Sequence, residues 1–78
     1  MKINIITPDT TIYEGEVKDV KLIGLDGHFE LLEKHAPIIA ALTRGDIKIV
    51  DMNDQELSFS IDGGLLEKSG RDIQILAQ

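Results

Sequence analysis

Apolar and polar residues alternate with a period of two along most of this chain, the signature of strands that bury one face. Ile3 and Ile5 flank Asn4, Val20 and Leu22 flank Lys21, and Phe29 and Leu31 flank Glu30. Ile47 and Ile49 flank Lys48, Ser58 and Ser60 separate Leu57, Phe59 and Ile61, and Ile73 and Ile75 flank Gln74. Turn-forming clusters divide these windows: Thr7-Pro8-Asp9, Gly24 to Gly27, Arg44-Gly45-Asp46, Met52-Asn53-Asp54, Asp62-Gly63-Gly64 and Ser69-Gly70-Arg71. Short strands punctuated this regularly predict an all-β domain, an antiparallel sandwich or barrel. Val17 is out of step with Val20 and Leu22, which predicts a bulge near Lys18-Asp19. Gly63-Gly64 predicts a positive φ or a bulge between the strand ending at Ile61 and the next, Leu65-Leu66-Glu67.

One segment breaks the alternation. Ile38-Ile39-Ala40-Ala41-Leu42 is apolar on both faces, and Pro37 and Gly45 bracket it too tightly for a long helix. The expectation is a strand covered on both sides; a face left bare within the domain would want a partner.

Composition agrees with strands: Ile occurs 12 times and Leu 9 times, against 4 Ala. With 78 residues the chain makes one small domain. A domain of that size buries only about 60% of the surface its unfolded chain exposes, which leaves little interior for a deep active site. The absence of Cys removes disulfides, thiolate zinc sites and cysteine nucleophiles together. An excess of 14 Asp+Glu over 8 Lys+Arg, with no local basic patch, argues against nucleic acid as a partner. The longest apolar run, Ala36 to Leu42, is interrupted by Pro37 and falls far short of the roughly 20 residues that span a bilayer. No basic start leads into an apolar signal region. The expectation is therefore no direct membrane insertion.

The candidate chemistry is thin. His28 lies two residues from Glu30 and His35 two from Glu33, yet two histidines seven residues apart across a loop match no metal-ligand spacing. Ser58, Ser60 and Ser69 lie outside any Gly-x-Ser-x-Gly elbow. Gly63-Gly64 precedes neither a Lys-Ser/Thr pair nor a long helix that would cradle phosphate. Lys34 and Lys68 do not stand at a hairpin tip between methionines, as a lipoyl or biotinyl attachment lysine would. No catalytic residue, metal site or cofactor is expected. Gly24 and Gly27 bracket a projecting tip, Leu25-Asp26, that presents one apolar and one anionic group. It reads equally as a contact loop or as an ordinary polar turn.

Spaced motifs carry a resemblance. Ile-x-Ile-Ile-Thr-Pro runs from Ile3 to Pro8, followed by Tyr13-Glu14-Gly15. Gly-x-Phe-x-x-Leu-x-x-His-Ala-Pro runs from Gly27 to Pro37, and Leu-x-x-Gly from Leu42 to Gly45. Gly-Gly-x-Leu-Glu then spans Gly63 to Glu67, and Ile-Gln-Ile-Leu-Ala spans Ile73 to Ala77. In this order, from end to end, they resemble the N-terminal β-sandwich domain of the epsilon subunit of rotary ATP synthase.

That resemblance implies a two-sheet antiparallel sandwich of about ten short strands over residues 1–78, one domain without the helical hairpin that commonly follows it. It implies a non-catalytic subunit of the central rotor, bound to the gamma subunit and to the c-ring, that couples ion-driven rotation to ATP synthesis. Its location would be peripheral, on the cytoplasmic face of a bacterial inner membrane. By matching positions, Gly24, Leu25, Asp26, Gly27 and His28 would face the c-ring, and Thr7, His35 and Ala40 would face gamma. The chain departs from the family at Leu32-Glu33-Lys34-His35, where a proline usually stands, which exposes an ion pair of small energetic weight. The rival expectation is a free-standing β-sandwich that binds or carries a ligand between its sheets.

Overall fold

The computed structural model describes residues 1–34 and 36–78. Eight strands follow in order: β1 (Lys2–Ile6), β2 (Thr11–Gly24), β3 (Gly27–Leu31), β4 (Ile38–Leu42), β5 (Gly45–Asp51), β6 (Glu56–Ile61), β7 (Gly64–Ser69) and β8 (Asp72–Ala77). Every alternating window of the sequence lies on one of them.

Strand β2 organises the layers. Its first half pairs with β1, Glu16 opposite Lys2 and Glu14 opposite Asn4. Its second half lies between β3 and β5, with Val20 opposite both Leu31 and Ile49. One layer is therefore β4-β7-β8-β1 with the start of β2, and the other is β3, the end of β2, β5 and β6. The two layers give the 27 × 25 × 18 Å body its short dimension, consistent with stacked sheets about 10 Å apart plus their outer side chains.

The passage from one layer to the other occurs at the anticipated bulge. Val17 faces Asp51 and Asp19 faces Val50, so Lys18 is the extra residue. An unpaired residue bends and twists its strand, and this one keeps Val17 and Val20 both inward, each wholly buried.

Two details differ from expectation. There are eight strands among the described residues instead of about ten, because β2 is a single 14-residue strand serving both layers. The sandwich is also not wholly antiparallel: β1 and β8 run parallel, Ile3 beside Ile73 and Ile5 beside Ile75.

The core is aliphatic. Ile3, Ile5, Val17, Val20, Leu22, Leu31, Ile47, Ile49, Leu66, Ile73 and Ile75 are at most 2% exposed. Full burial of such side chains contributes about 1.5–3 kcal/mol each. At the open end Tyr13 meets Phe59, ring centroids 5.2 Å apart, and joins the two layers.

Turns are built from local hydrogen bonds. The Thr7 hydroxyl accepts from the amides of Asp9 (3.3 Å) and Thr10 (3.1 Å). Asp51 Oδ1 accepts from Asn53 (2.8 Å) and Gln55 (2.9 Å), shaping the β5–β6 connection. Gly63, at φ +133°, supplies the positive φ anticipated between β6 and β7.

Candidate functional site

The β2–β3 connection is a two-residue turn. Gly24 pairs with Gly27, leaving Leu25 and Asp26 at the tip, and Gly27 has φ +118°, which a side-chain-bearing residue adopts only under strain. Leu25 is 71% exposed, an unusual placement for a leucine unless something covers it. Asp26 and His28 are exposed beside it.

The tip is fastened to β4. The Leu25 N–H donates to the Ala41 carbonyl (3.3 Å), and the Thr43 N–H donates to the Ile23 carbonyl (3.1 Å), on either side of the Gly24–Leu42 bridge. Leu25 and Ile39 line the same depression, of about 410 Å³.

From Ala41 an apolar row crosses the outer face of the first layer. Ala41 faces Leu65, Leu65 faces Leu76, and Leu76 lies beside Ile6. Beyond Ile6 comes the Thr7-Pro8 turn, where a second depression of about 450 Å³ is lined by Ile6, Thr7, Pro8, Leu65 and Leu76. Leu25, Ile39, Leu65 and Leu76 are all among the exposed large hydrophobic residues. An apolar strip thus connects the Thr7 turn to the Leu25 tip across four strands, with Ile39 at its side. The next register row is polar: Glu67 opposite Ile39 and Gln74, and Asn4 beside Gln74.

The residues singled out in sequence fall unevenly on this surface. Gly24, Leu25, Asp26, Gly27 and His28 form the turn and its first paired residues. Thr7 is half-buried, with its hydroxyl occupied in its own turn. Ala40 is half-buried and packs against the core, while Ile39 is the outward neighbour at 70% exposure. The β4 segment is a strand as expected, but its Ile39-Ala41 face is bare, not covered. His35 lies outside the described residues.

Glu33 pairs with Arg71 at 2.9 Å, so the expected exposed ion pair is made to the β7–β8 turn and not to Lys34. Ser58 and Ser60 are exposed strand residues, Ser60 donating to Asp46 (2.7 Å). Lys68 is 2% exposed with its Nζ donating to the Gly70 carbonyl (2.7 Å). Among the described residues no group of three or more His, Cys, Asp or Glu is placed to hold a metal, and no helix is long and apolar enough to cross a membrane.

Ile6, Ile39, Leu65 and Leu76 contribute to the strip, yet only Ile39 lies in the segment read from sequence as apolar on both faces. Their signal was present: each belongs to an apolar doublet, Ile5-Ile6, Ile38-Ile39, Leu65-Leu66 or Ile75-Leu76. On a strand, adjacent residues point to opposite faces, so an apolar doublet puts one member outward.

The family described as the beta-sandwich domain of the ATP synthase delta/epsilon chain matches residues 1–78. The chain belongs to this family. It is 39% identical over 77 residues to the ATP synthase epsilon chain of Chlorobium limicola, covering 99% of this chain and 88% of that one. Against the ATP synthase epsilon chain of Alkalihalophilus pseudofirmus it is 32% identical over 78 residues and spans 58% of the relative's length. A chain of the Euglena gracilis mitochondrial ATP synthase, solved as OSCP/F1/c-ring, shares the fold with a TM-score of 0.89 at 16% identity, over 96% of this chain and 48% of that chain. A chain of the Tetrahymena thermophila central stalk/c-ring structure gives a TM-score of 0.81 at 13% identity, over 99% of this chain and 62% of that chain. The expected sandwich and the epsilon-type resemblance both hold.

Proposed function

We propose that this chain acts as the epsilon subunit of a rotary ATP synthase, a non-catalytic element of the central stalk that joins gamma to the c-ring and couples ion-driven rotation to ATP synthesis. The observation that carries this reading is the 39% identity to an ATP synthase epsilon chain over nearly the whole of both chains. The reading puts the Gly24–His28 turn toward the c-ring and Thr7, His35 and Ala40 toward gamma, and it makes the domain a peripheral part of the assembly.

Two physical features support it. Among the described residues fifteen buried apolar side chains form the core, which suits a body that transmits force, because close-packed interiors have low compressibility. The hydrogen-bonded junction of the tip with β4 makes the two proposed contacts parts of one rigid edge.

The test is reconstitution. The chain mixed with gamma and a detergent-solubilised c-ring is expected to form a stoichiometric complex, and Asp26→Lys is expected to reduce proton pumping per ATP hydrolysed in membranes while leaving soluble F1 hydrolysis unchanged. Absence of any complex with gamma would remove the reading.

A further inference from the structure

Two carboxyl groups, those of Asp19 and Glu30, share the outer face of the second layer. Glu30 stands directly across from Lys21 in the β2–β3 register, and Asp19 lies two residues before Lys21 on the same face. The Glu30 carboxyl is within hydrogen-bonding reach of Asp19. Asp19 Oδ1 is fully enclosed and has no hydrogen-bond partner. An enclosed acceptor facing another acceptor is a costly arrangement unless a proton lies between them.

The charges around the pair relieve it only in part. Lys21 adjoins Glu30, but Lys48 of β5 lies directly opposite Lys21. Lys18 is engaged elsewhere, 2.8 Å from Asp54. His28, two residues along β3, faces Ile23, and Val50 is the β5 residue facing Asp19.

We propose that Asp19 and Glu30 form a proton-held latch across β2 and β3, closed by one shared proton and opened by its loss. The consequence falls on β3, an edge strand that pairs only with β2 among the described residues. It carries one side of the Leu25-Asp26 turn, so the latch adds to the seating that the turn's backbone ties to β4 already give it. This inference stands independently of the assembly proposed above.

The sign follows from which form the contact favours. The hydrogen bond to Asp19 first, then burial, then the Asp19 charge hold the Glu30 carboxyl above the ordinary glutamate range, and Lys21 opposes them. A carboxyl raised in the folded state favours the folded protein most when protonated. Its contribution is full below the ordinary glutamate value and is lost as pH rises through the raised value.

The experiment follows the Glu30 side-chain carboxyl carbon by NMR titration and measures thermal unfolding of the chain from pH 4 to pH 8, for wild type, Glu30→Gln and Asp19→Asn. The wild-type Glu30 resonance is expected to titrate above the ordinary glutamate value. Glu30→Gln keeps an N–H donor toward Asp19 at every pH, so its Tm is expected to exceed that of wild type at pH 7, the gap closing toward pH 4. A Glu30 titration at the ordinary glutamate value, or a Tm difference constant across pH, would overturn the latch. So would a wild-type Tm raised by millimolar calcium but not in Glu30→Gln, which would make the pair a cation site. The titration of the unmodified chain decides the matter even where a variant folds poorly.

Discussion

The backbone N–H of Leu25 donates to the Ala41 carbonyl at 3.3 Å, so a turn that protrudes from one layer is tied to a strand of the other. Thr43 repeats the tie two residues on, donating to Ile23 at 3.1 Å. Amides held in this way exchange with solvent only when the local structure opens. The Leu25 and Thr43 amides are expected to exchange much more slowly than those of free peptide, although Leu25 itself is at the tip. Hydrogen exchange followed by NMR checks this; exchange of Leu25 at the free-peptide rate would mean that the tip moves independently of β4.

Adjacent β4 residues separate docking from folding. Ile39 is 70% exposed and stands opposite Glu67, whereas Ala40 packs toward the core. Ile39→Lys gains a favourable cross-strand neighbour and should change stability by no more than about 0.5 kcal/mol. Ala40→Glu forces a carboxylate toward apolar surroundings and should cost about 1–3 kcal/mol. Urea denaturation of the isolated chain measures both. On the reading proposed above, Ile39→Lys also weakens co-purification with gamma, while loss of binding in Ala40→Glu tracks its loss of stability.

Much of this architecture was legible because period-2 alternation depends only on strand geometry. Ile3, Ile5, Ile47, Ile49, Ile73 and Ile75 are all inward where the pattern placed them, and the Val17–Val20 phase slip marked the bulge. The parallel β1–β8 pairing was not legible, since alternation fixes which face a residue takes and not which strand lies beside it. Ala40 shows the same limit at the surface: an apolar run does not reveal which of its residues faces out until a neighbouring strand sets the phase. The strip through Ile6, Leu76, Leu65 and Ala41 depends on registers between segments up to seventy residues apart, beyond the reach of any local pattern.

Two glycines should fail for different reasons. At Gly27 an added Cβ has nothing within 4 Å, so Gly27→Ala costs only the strain of φ +118°, on the order of 1–3 kcal/mol. At Gly64 the added Cβ would run into the Leu76 carbonyl oxygen of β8, an obstruction of backbone that no rotamer change relieves. Gly64→Ala should therefore cost roughly 3 kcal/mol or more by overpacking. Equilibrium unfolding of both variants tests the ordering; Gly64→Ala milder than Gly27→Ala would mean that β7 and β8 are not packed as closely as described.

Lys68 occupies an inward position of β7, two residues after the wholly buried Leu66. A lysine there is retained by its aliphatic stem within the layer and its ammonium on the Gly70 carbonyl, 2.7 Å away, which pins the β7–β8 turn. Truncation removes both, so Lys68→Ala should cost about 1–3 kcal/mol. Lys68→Met keeps the packing and gives up the ammonium's contacts, and its loss should be smaller, because an apolar residue of similar volume can replace a buried charge at little net cost. The same burial predicts reactivity: with acetic anhydride under native conditions, Lys68 should be modified last of the six lysines, and peptide mass mapping over time gives the order. Early acylation of Lys68 would show that the β7–β8 turn opens readily in solution.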